Sequence, residues 1–292
     1  MIAKYNILEE MIRKLFFCLL MLMPLAGMAK TANVRWCTFN IRLINDEDNK
    51  AGWGWEVRRS RVAHYVTDND MDVVGMQEVT YPQLTYLQQN LPGYNYIGVG
   101  RHDGKTQGEY SCIWYKTSKF EVLDSGNFWL SETPDSVGSK GWDAALERIA
   151  TWGKFRDKKT GKIFMAVNTH VDHVGVEARK QSALLIIQKI RDIVGNRPAV
   201  VTGDFNIDDK NEAYTTITTN KFVLRDAFKV SPSHGGVDYT FQNFSRTPAS
   251  QCPKIDFIFV TPQIEVIRTG IPANDGNYII SDHNPHWADL QF

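Results

Sequence analysis

Along the chain, hydrophobic positions gather into short runs, most of them bounded by Gly, Pro, Asn or Asp. Runs of Val, Ile, Phe, Tyr and Trp with such boundaries predict strands. They fall at Val34–Ile41, Val73–Gln77, Tyr94–Val99, Ser111–Tyr115, Phe120–Ser125, Ile149–Asp157, Ile163–Thr169, Ala199–Gly203, Ile255–Val260 and Trp287–Gln291. Three segments predict helices: Trp55–Asn69, Tyr81–Asn90 and Val176–Val194, the last with Ala183, Leu184, Ile187 and Ile190 on one face at three- and four-residue spacing. Strands interleaved with helices predict one layered α/β or α+β domain. The connections between Tyr94 and Ser125 are too short for helical crossovers, so the sheets are expected to be mixed.

Several of these apolar runs end in polar residues. "PAVVTGDFNIDD" starts as a core strand and then places Asp204 and Asn206 on either side of Phe205. "VRWCTFNIR" carries Asn40, "MDVVGMQEV" ends near Gln77 and Glu78, and "KIDFIFV" sets Asp256 among apolar neighbours. "FMAVNTHVDH" closes with Asn168, His170 and Asp172, which alternation in an extended chain puts on one face. Asp282 and His283 shortly precede the last strand. Any one of these residues is explained by a turn, a cap or a buried ion pair. As a set they are costly to bury unless they meet, so the strand ends are expected to converge on one polar floor.

That floor would hold carboxylates, amides and two histidines, with no Ser or Cys in an activating context. Hard oxygen donors in this proportion favour Mg²⁺, Mn²⁺ or Ca²⁺ over zinc. A carboxylate-held divalent ion beside histidines suits attack of water on a phosphoester. No Gly-rich phosphate loop is present, which removes support for nucleotide-driven phosphoryl transfer.

Charge narrows the picture. The 292 residues carry 33 basic and 33 acidic side chains, so the basic excess of a protein that coats duplex DNA is missing. Met11-Ile12-Arg13-Lys14, the apolar run Leu15–Leu25 and the small residues Gly27-Met28-Ala29 read as a signal peptide over residues 1–29, with Met11 an alternative start. The run is shorter than the roughly 20 residues of a membrane span, so no transmembrane anchor is expected after cleavage. Residues 30–292 would then form a single exported catalytic domain, periplasmic or extracellular. Cys37 and Cys112 lie in strand-like runs and are expected to be buried thiols.

"TFNIR", "MQEV", "NTHVDH", "TGDFN", "KIDFIFV" and "SDHNP", in this order from about Val34 to Phe292, resemble the endonuclease/exonuclease/phosphatase (DNase I-like) superfamily. The segment from Phe128 to Trp152 further resembles a secreted bacterial branch of it. The resemblance implies a four-layer α/β sandwich, two mixed β-sheets packed face to face with helices outside. It implies a metal site of Glu78, Asn40 and Asp282 for Mg²⁺ or Mn²⁺, as one or two ions. Asp204 would activate water, Asn206 would hold a phosphoryl oxygen, His283 oriented by Asp256 would contact the phosphate, and His170 would be a second contact. Arg148, Glu109 and Asp172 are expected at the substrate. Arg148 also reads as a structural ion pair, and Asp172 as support for His170. The Trp53–Trp55 loop fits either stacking on a ligand or packing, and His286 reads as structural. The expected partner is a phosphoester substrate (a small molecule, a lipid headgroup or nucleic acid), with no protein partner implied. The activity is either a phosphodiesterase or phosphatase, or a nuclease on the same scaffold. A non-catalytic binding protein is the remote alternative.

Overall fold

The computed structural model describes residues 31–220, 224–274, 276 and 278–292. The export segment expected over 1–29 lies outside them. At the centre of a seven-stranded sheet, β1 (Asn33–Asn40) pairs in parallel with β2 (Val73–Gln77) and antiparallel with β13 (His286–Gln291). The sheet continues on one side through β12 (Glu265–Ile271) to β10 (His234–Gly236), and on the other through β4 (Ile113–Lys116) to β3 (Tyr94–Ile97). The second sheet runs β5 (Phe120–Trp129), β6 (Ile149–Asp157), β7 (Ile163–His170), β8 (Ala199–Asp204), β11 (Asp256–Val260), β9 (Arg225–Asp226). Both sheets are mixed, as expected.

Alternation within each strand sorts side chains between three apolar cores. Trp36, Val73, Ala166, Val200 and Ile258 meet between the sheets. Their chain neighbours Cys37 and Val74 point the other way, towards Val62, Val66, Leu84 and Leu87 of α2 (Trp55–Asp68) and α3 (Tyr81–Asn90). Val201 and Phe257 point outward on the second sheet, under Ile186, Ile187 and Ile190 of α4 (Val176–Val194) and Ile217 of α5 (Glu212–Thr219). The layers are therefore helices, sheet, sheet, helices. A short helix, α1 (Asp46–Lys50), follows β1, and α6 (Ala227–Val230) follows β9. Strands buried on both faces read as unbroken apolar runs, which is why the sequence shows them so clearly.

Between the sheets a polar layer crosses the core. Asn168 donates from Nδ2 to the carbonyls of Met76 and Cys112, both at 2.9 Å. Its Oδ1 accepts from Gln77 Nε2 at 2.7 Å and Thr202 Oγ1 at 3.0 Å. Gly75 makes room for this layer, since a Cβ there would overlap Thr202 and Asn168. Two helix starts are capped by side chains. Thr80 and Gln83 form a reciprocal capping box on α3. Asp143, from a distant loop, accepts from the backbone of Glu177 and Ala178 at the start of α4.

Two of the longer elements go beyond the sequence reading. Strand β12 was not anticipated, because a bulge between Val266 and Arg268 breaks its two-residue period. Helix α5 is a further addition, capped by Asn211, whose Oδ1 accepts from Ala213 N at 2.9 Å. Asp208 accepts from Lys210 N, and Asp209 pairs with Lys229 at 2.7 Å. Cys37 and Cys112 are buried free thiols, and His286 is buried beside Thr269. No helix among the described residues is long and apolar enough to cross a membrane.

Candidate active site

Strand register assembles the floor. His170 ends β7 opposite Asp204 at the end of β8, and Asp204 in turn lies opposite Asp256 at the start of β11. In the facing sheet, Asn40 ends β1 opposite Gln77 on β2. Just past three of these strand ends the backbone turns through left-handed conformations, at Arg42 (φ 59), Glu78 (φ 59) and Asn206 (φ 50). A non-glycine residue in that region costs about 1–2 kcal/mol and is characteristic of functional turns. Here it re-aims each side chain across the strand tips.

The carboxylates meet around Asn40. Its Nδ2 donates to Glu78 Oε1 and to Asp204 Oδ2, both at 2.9 Å. The second oxygen of Glu78 accepts from Leu43 N at 3.0 Å. Asp204 Oδ2 also lies 3.6 Å from His170 Nε2 and 3.7 Å from His283 Nε2. His283 Nδ1 bonds Asp256 Oδ2 at 2.8 Å, as the Asp–His pairing required.

The two histidines are held in opposite states. Burial disfavours charge on His283, but Asp256, Asp204 and Asp282 outweigh it and lift its pKa to about 10. His170 is pushed well below the ordinary value by burial and then by Arg148 and Arg101. The first is a cation at neutral pH and the second is neutral. Asp204 is pushed up to about 7 by burial and by the charge of Asp256. Burial also raises Asp282 and Glu109, the latter reinforced by Glu78. When His170 Nε2 accepts from Asn206 Nδ2 at 3.1 Å, its proton sits on Nδ1, which faces Glu109 Oε2 at 3.9 Å.

A cavity of about 360 Å³ opens over this floor. Of the residues expected from sequence, Glu78, Glu109, Arg148, His170, Asp204, Asn206, Asp282 and His283 line it. Asn40 and Asp256 are fully buried just behind. Asp172 does not reach the cavity: at 1% exposure it sits behind Arg148 and accepts from the backbone of Ala145, Val174 and Gly175. Strand β7 ends at His170, so alternation no longer governs Asp172. Asn168 shares the face of His170 but lies deeper, in the polar layer. Both amide hydrogens of Asn206 are engaged, one by Val171 O at 3.0 Å and one by His170. Trp53 stacks on Phe244 and Trp55 is buried in a core, which decides that loop for packing. Sequence reasoning missed Arg42 and Phe241, which also line the cavity. Arg42 stood in the "TFNIR" motif two residues after Asn40, whereas Phe241 had no signal beyond an aromatic in a polar loop.

The donors fit a hard cation. Ligand atoms of Glu78, His170 and Asp204 lie within 4.8 Å of one another, and the two carboxylates supply the oxygen donors that such an ion prefers. The second cluster, Asp204, Asp256 and His283, already shares the proton of His283. Relative to the expected set, Glu78 stands at the centre. Asn40 turns its nitrogen, not its oxygen, toward the carboxylates, while its Oδ1 accepts from Arg42 N at 3.0 Å.

The fold is an α/β sandwich with a carboxylate–histidine floor at one sheet edge. The chain belongs to the Endonuclease/Exonuclease/phosphatase family, whose model matches residues 31–283. A family structure from Bacteroides vulgatus is 59% identical, with TM-score 0.87 and coverage of 89% of this chain and 98% of that one. A mannosyl-6-phosphatase from Bacteroides thetaiotaomicron VPI-5482 is 40% identical, with TM-score 0.83 and coverage of 89% and 100%. A probable RNA exonuclease of Saccharomyces cerevisiae is 28% identical over 185 residues, 59% of this chain and 36% of the yeast protein. The chain spans 65% of one curated relative and under 40% of two others.

Proposed function

We propose that the chain is an exported, Mg²⁺-dependent hydrolase of small phosphate esters, with Mn²⁺ able to substitute. The observation that carries this is Asp204, a buried carboxylate at a strand end, flanked at 3.6 and 3.7 Å by His170 and His283 and tied through Asn40 to Glu78. A carboxylate held within reach of both histidines at the cavity floor is placed to take a proton from water. Glu78 would hold the ion, with Asn40, Asp204 and Asp282 around it; when bound, the ion neutralises phosphoryl oxygens and the leaving oxygen. Asp204 takes a proton from the attacking water at Oδ2. His283, kept charged by Asp256, donates from Nε2 to a phosphoryl oxygen. Asn206 donates to another in exchange for its bond to His170.

Small esters are favoured over duplex DNA by the zero net charge, and by the phosphatase named among the 40%-identical relatives. The exonuclease relative supports a second reading, an extracytoplasmic nuclease. Export rests on the basic, apolar and small-residue segments ending at Ala29.

The test is hydrolysis of bis(4-nitrophenyl) phosphate and 4-nitrophenyl phosphate by residues 30–292 in Mg²⁺, against RNA and single- and double-stranded DNA. Asp204→Asn and His283→Ala are each expected to lower kcat by at least about a hundredfold. Full activity in either variant would sink the assigned roles, and mass spectrometry of the secreted chain reads the cleavage point.

A further inference from the structure

Two arginines reach the cavity, one from each sheet, and each is braced from behind by a buried aspartate. Arg148 precedes β6 in the six-stranded sheet, and its Nε lies 3.2 Å from Asp172 Oδ1. Asp172 is 1% exposed and also accepts from the backbone of Ala145, Leu146, Val174 and Gly175, with His173 Nδ1 4.0 Å away. Arg42 follows β1 in the seven-stranded sheet. Its Nε lies 2.8 Å and its Nη2 3.4 Å from the two oxygens of Asp48, which is 5% exposed and bonded in turn by Asn45.

The backbone around Arg42 is built with equal care. Its left-handed φ is held by its own N–H on Asn40 Oδ1, and by Gln83 Nε2 on its carbonyl at 2.8 Å. Buried Arg58 reaches the same carbonyl at 3.4 Å and also bonds Ile41 O at 2.7 Å and Ile280 O at 2.9 Å. An ordinary surface ion pair needs none of this. The Arg42 side chain keeps 30% of its surface exposed, lines the cavity, and turns Nη1 to within 3.7 Å of Asp282 Oδ2.

Among the acids lining the same cavity, Glu78, Asp204 and Asp282 surround the expected ion site, and Glu109 is spent on a bidentate pair with Arg101 at 2.7 and 2.9 Å. Beyond its brace, Arg148 meets His173 Nδ1 through Nη2 at 2.9 Å and Arg42 approaches Asp282 through Nη1, so a bound phosphoryl group would share or displace these two contacts at the cavity wall. Planar guanidinium forks match phosphate oxygens, and a braced fork gives up little freedom on binding. A phosphomonoester carries about −1.5 to −2 at pH 7, whereas a diester carries a single charge.

We propose that Arg42 and Arg148 form an anion clamp that binds the substrate's phosphoryl group and selects a phosphomonoester dianion over a diester. This rests on the phosphoester reading above but can fail separately from it, because binding needs no turnover. The experiment is calorimetric titration of the Mg²⁺-loaded protein with inorganic phosphate and with dimethyl phosphate. Alongside it, kcat/KM is measured for 4-nitrophenyl phosphate and its bis ester. Arg42→Gln is expected to weaken inorganic phosphate by about tenfold or more, and to lower the monoester rate at least about tenfold more than the diester rate. Arg42→Lys, which keeps the charge and loses the fork, should fall between. Arg156→Gln, an exposed arginine paired with Glu121 far along β6, should match the wild type. Melting curves confirm that each variant is folded. Undiminished phosphate affinity in Arg42→Gln, or equal losses on both esters, overturns the clamp. A protein that binds phosphate through Arg42 but hydrolyses neither ester would instead overturn the catalytic reading and leave the clamp standing.

Discussion

Asp256 and His283 are 27 positions apart in the chain, yet Oδ2 and Nδ1 meet at 2.8 Å with both side chains buried. The carboxylate lifts the imidazole far enough to keep it charged at neutral pH. Asp256→Asn removes that support, so the ring should titrate well below about 10, as read by NMR of its nitrogens. The variant's kcat should fall by about a hundredfold or more, with KM changed much less. An unshifted ring titration would show that Asp256 only fills space.

Chelation supplies a second measurement. Activity should vanish in EDTA and return with Mg²⁺. Because an ion bound only to the folded state stabilises it, saturating Mg²⁺ should raise the melting temperature, by about 2.7 kcal/mol of stability at a hundredfold excess over Kd. Glu78→Gln should abolish both effects. A melting temperature that rises equally in the variant would place the ion elsewhere.

The polar layer between the sheets makes a purely structural prediction. Asn168→Ala strips partners from Gln77, Thr202 and two backbone carbonyls in a buried setting. Gln77, Thr202 and the Cys112 carbonyl keep other partners, so denaturant unfolding should show a loss of about 1–3 kcal/mol. Gly75→Ala should cost about 1–3 kcal/mol by overpacking the same spot. A neutral result for both would mean that the sheets adjust freely.

At the far end of the sheet, Asp289 bonds Arg35 at 2.7 Å and Arg268 at 2.6 Å. Burial works against its ionisation, but the two arginines prevail and hold its pKa below the ordinary carboxylate value. A depressed carboxylate contributes stability above its unfolded pKa of about 3.9 and loses it as pH falls through the folded value. Asp289→Asn should therefore flatten the pH dependence of unfolding below pH ~4. The site is part-exposed, so the change should stay under about 1 kcal/mol. An unchanged acid limb would leave the pairing without energetic weight.

The strands and most of the floor were legible because each functional side chain interrupts a conspicuous apolar run. Asn40, Glu78, His170 and Asp204 stand where such a run stops, and Asp256 where one begins. What the two-residue period reports is a face, not a depth. It grouped Asn168 with His170 correctly, but it could not say that one lies in the core and the other at the rim. It also could not carry Asp172 past the end of β7. Arg42 and Phe241 were missed because their positions are set by turns and long-range bonds, which leave no periodic trace. Strand β12 was hidden for a related reason, since its bulge erases the alternation that announces a strand.

His170, Asp204 and Asp256 occupy one rung of the sheet, each directly across from the next. Their spacing is therefore the spacing of the hydrogen-bond ladder itself. Evolution can retune such an enzyme only from above the rung, through loops such as those bearing Arg42 and Phe241, because no member of the row can move by one position without its strand slipping. The same geometry means that this row stays aligned until the sheet itself opens, whereas the loop-borne groups around it can let go earlier.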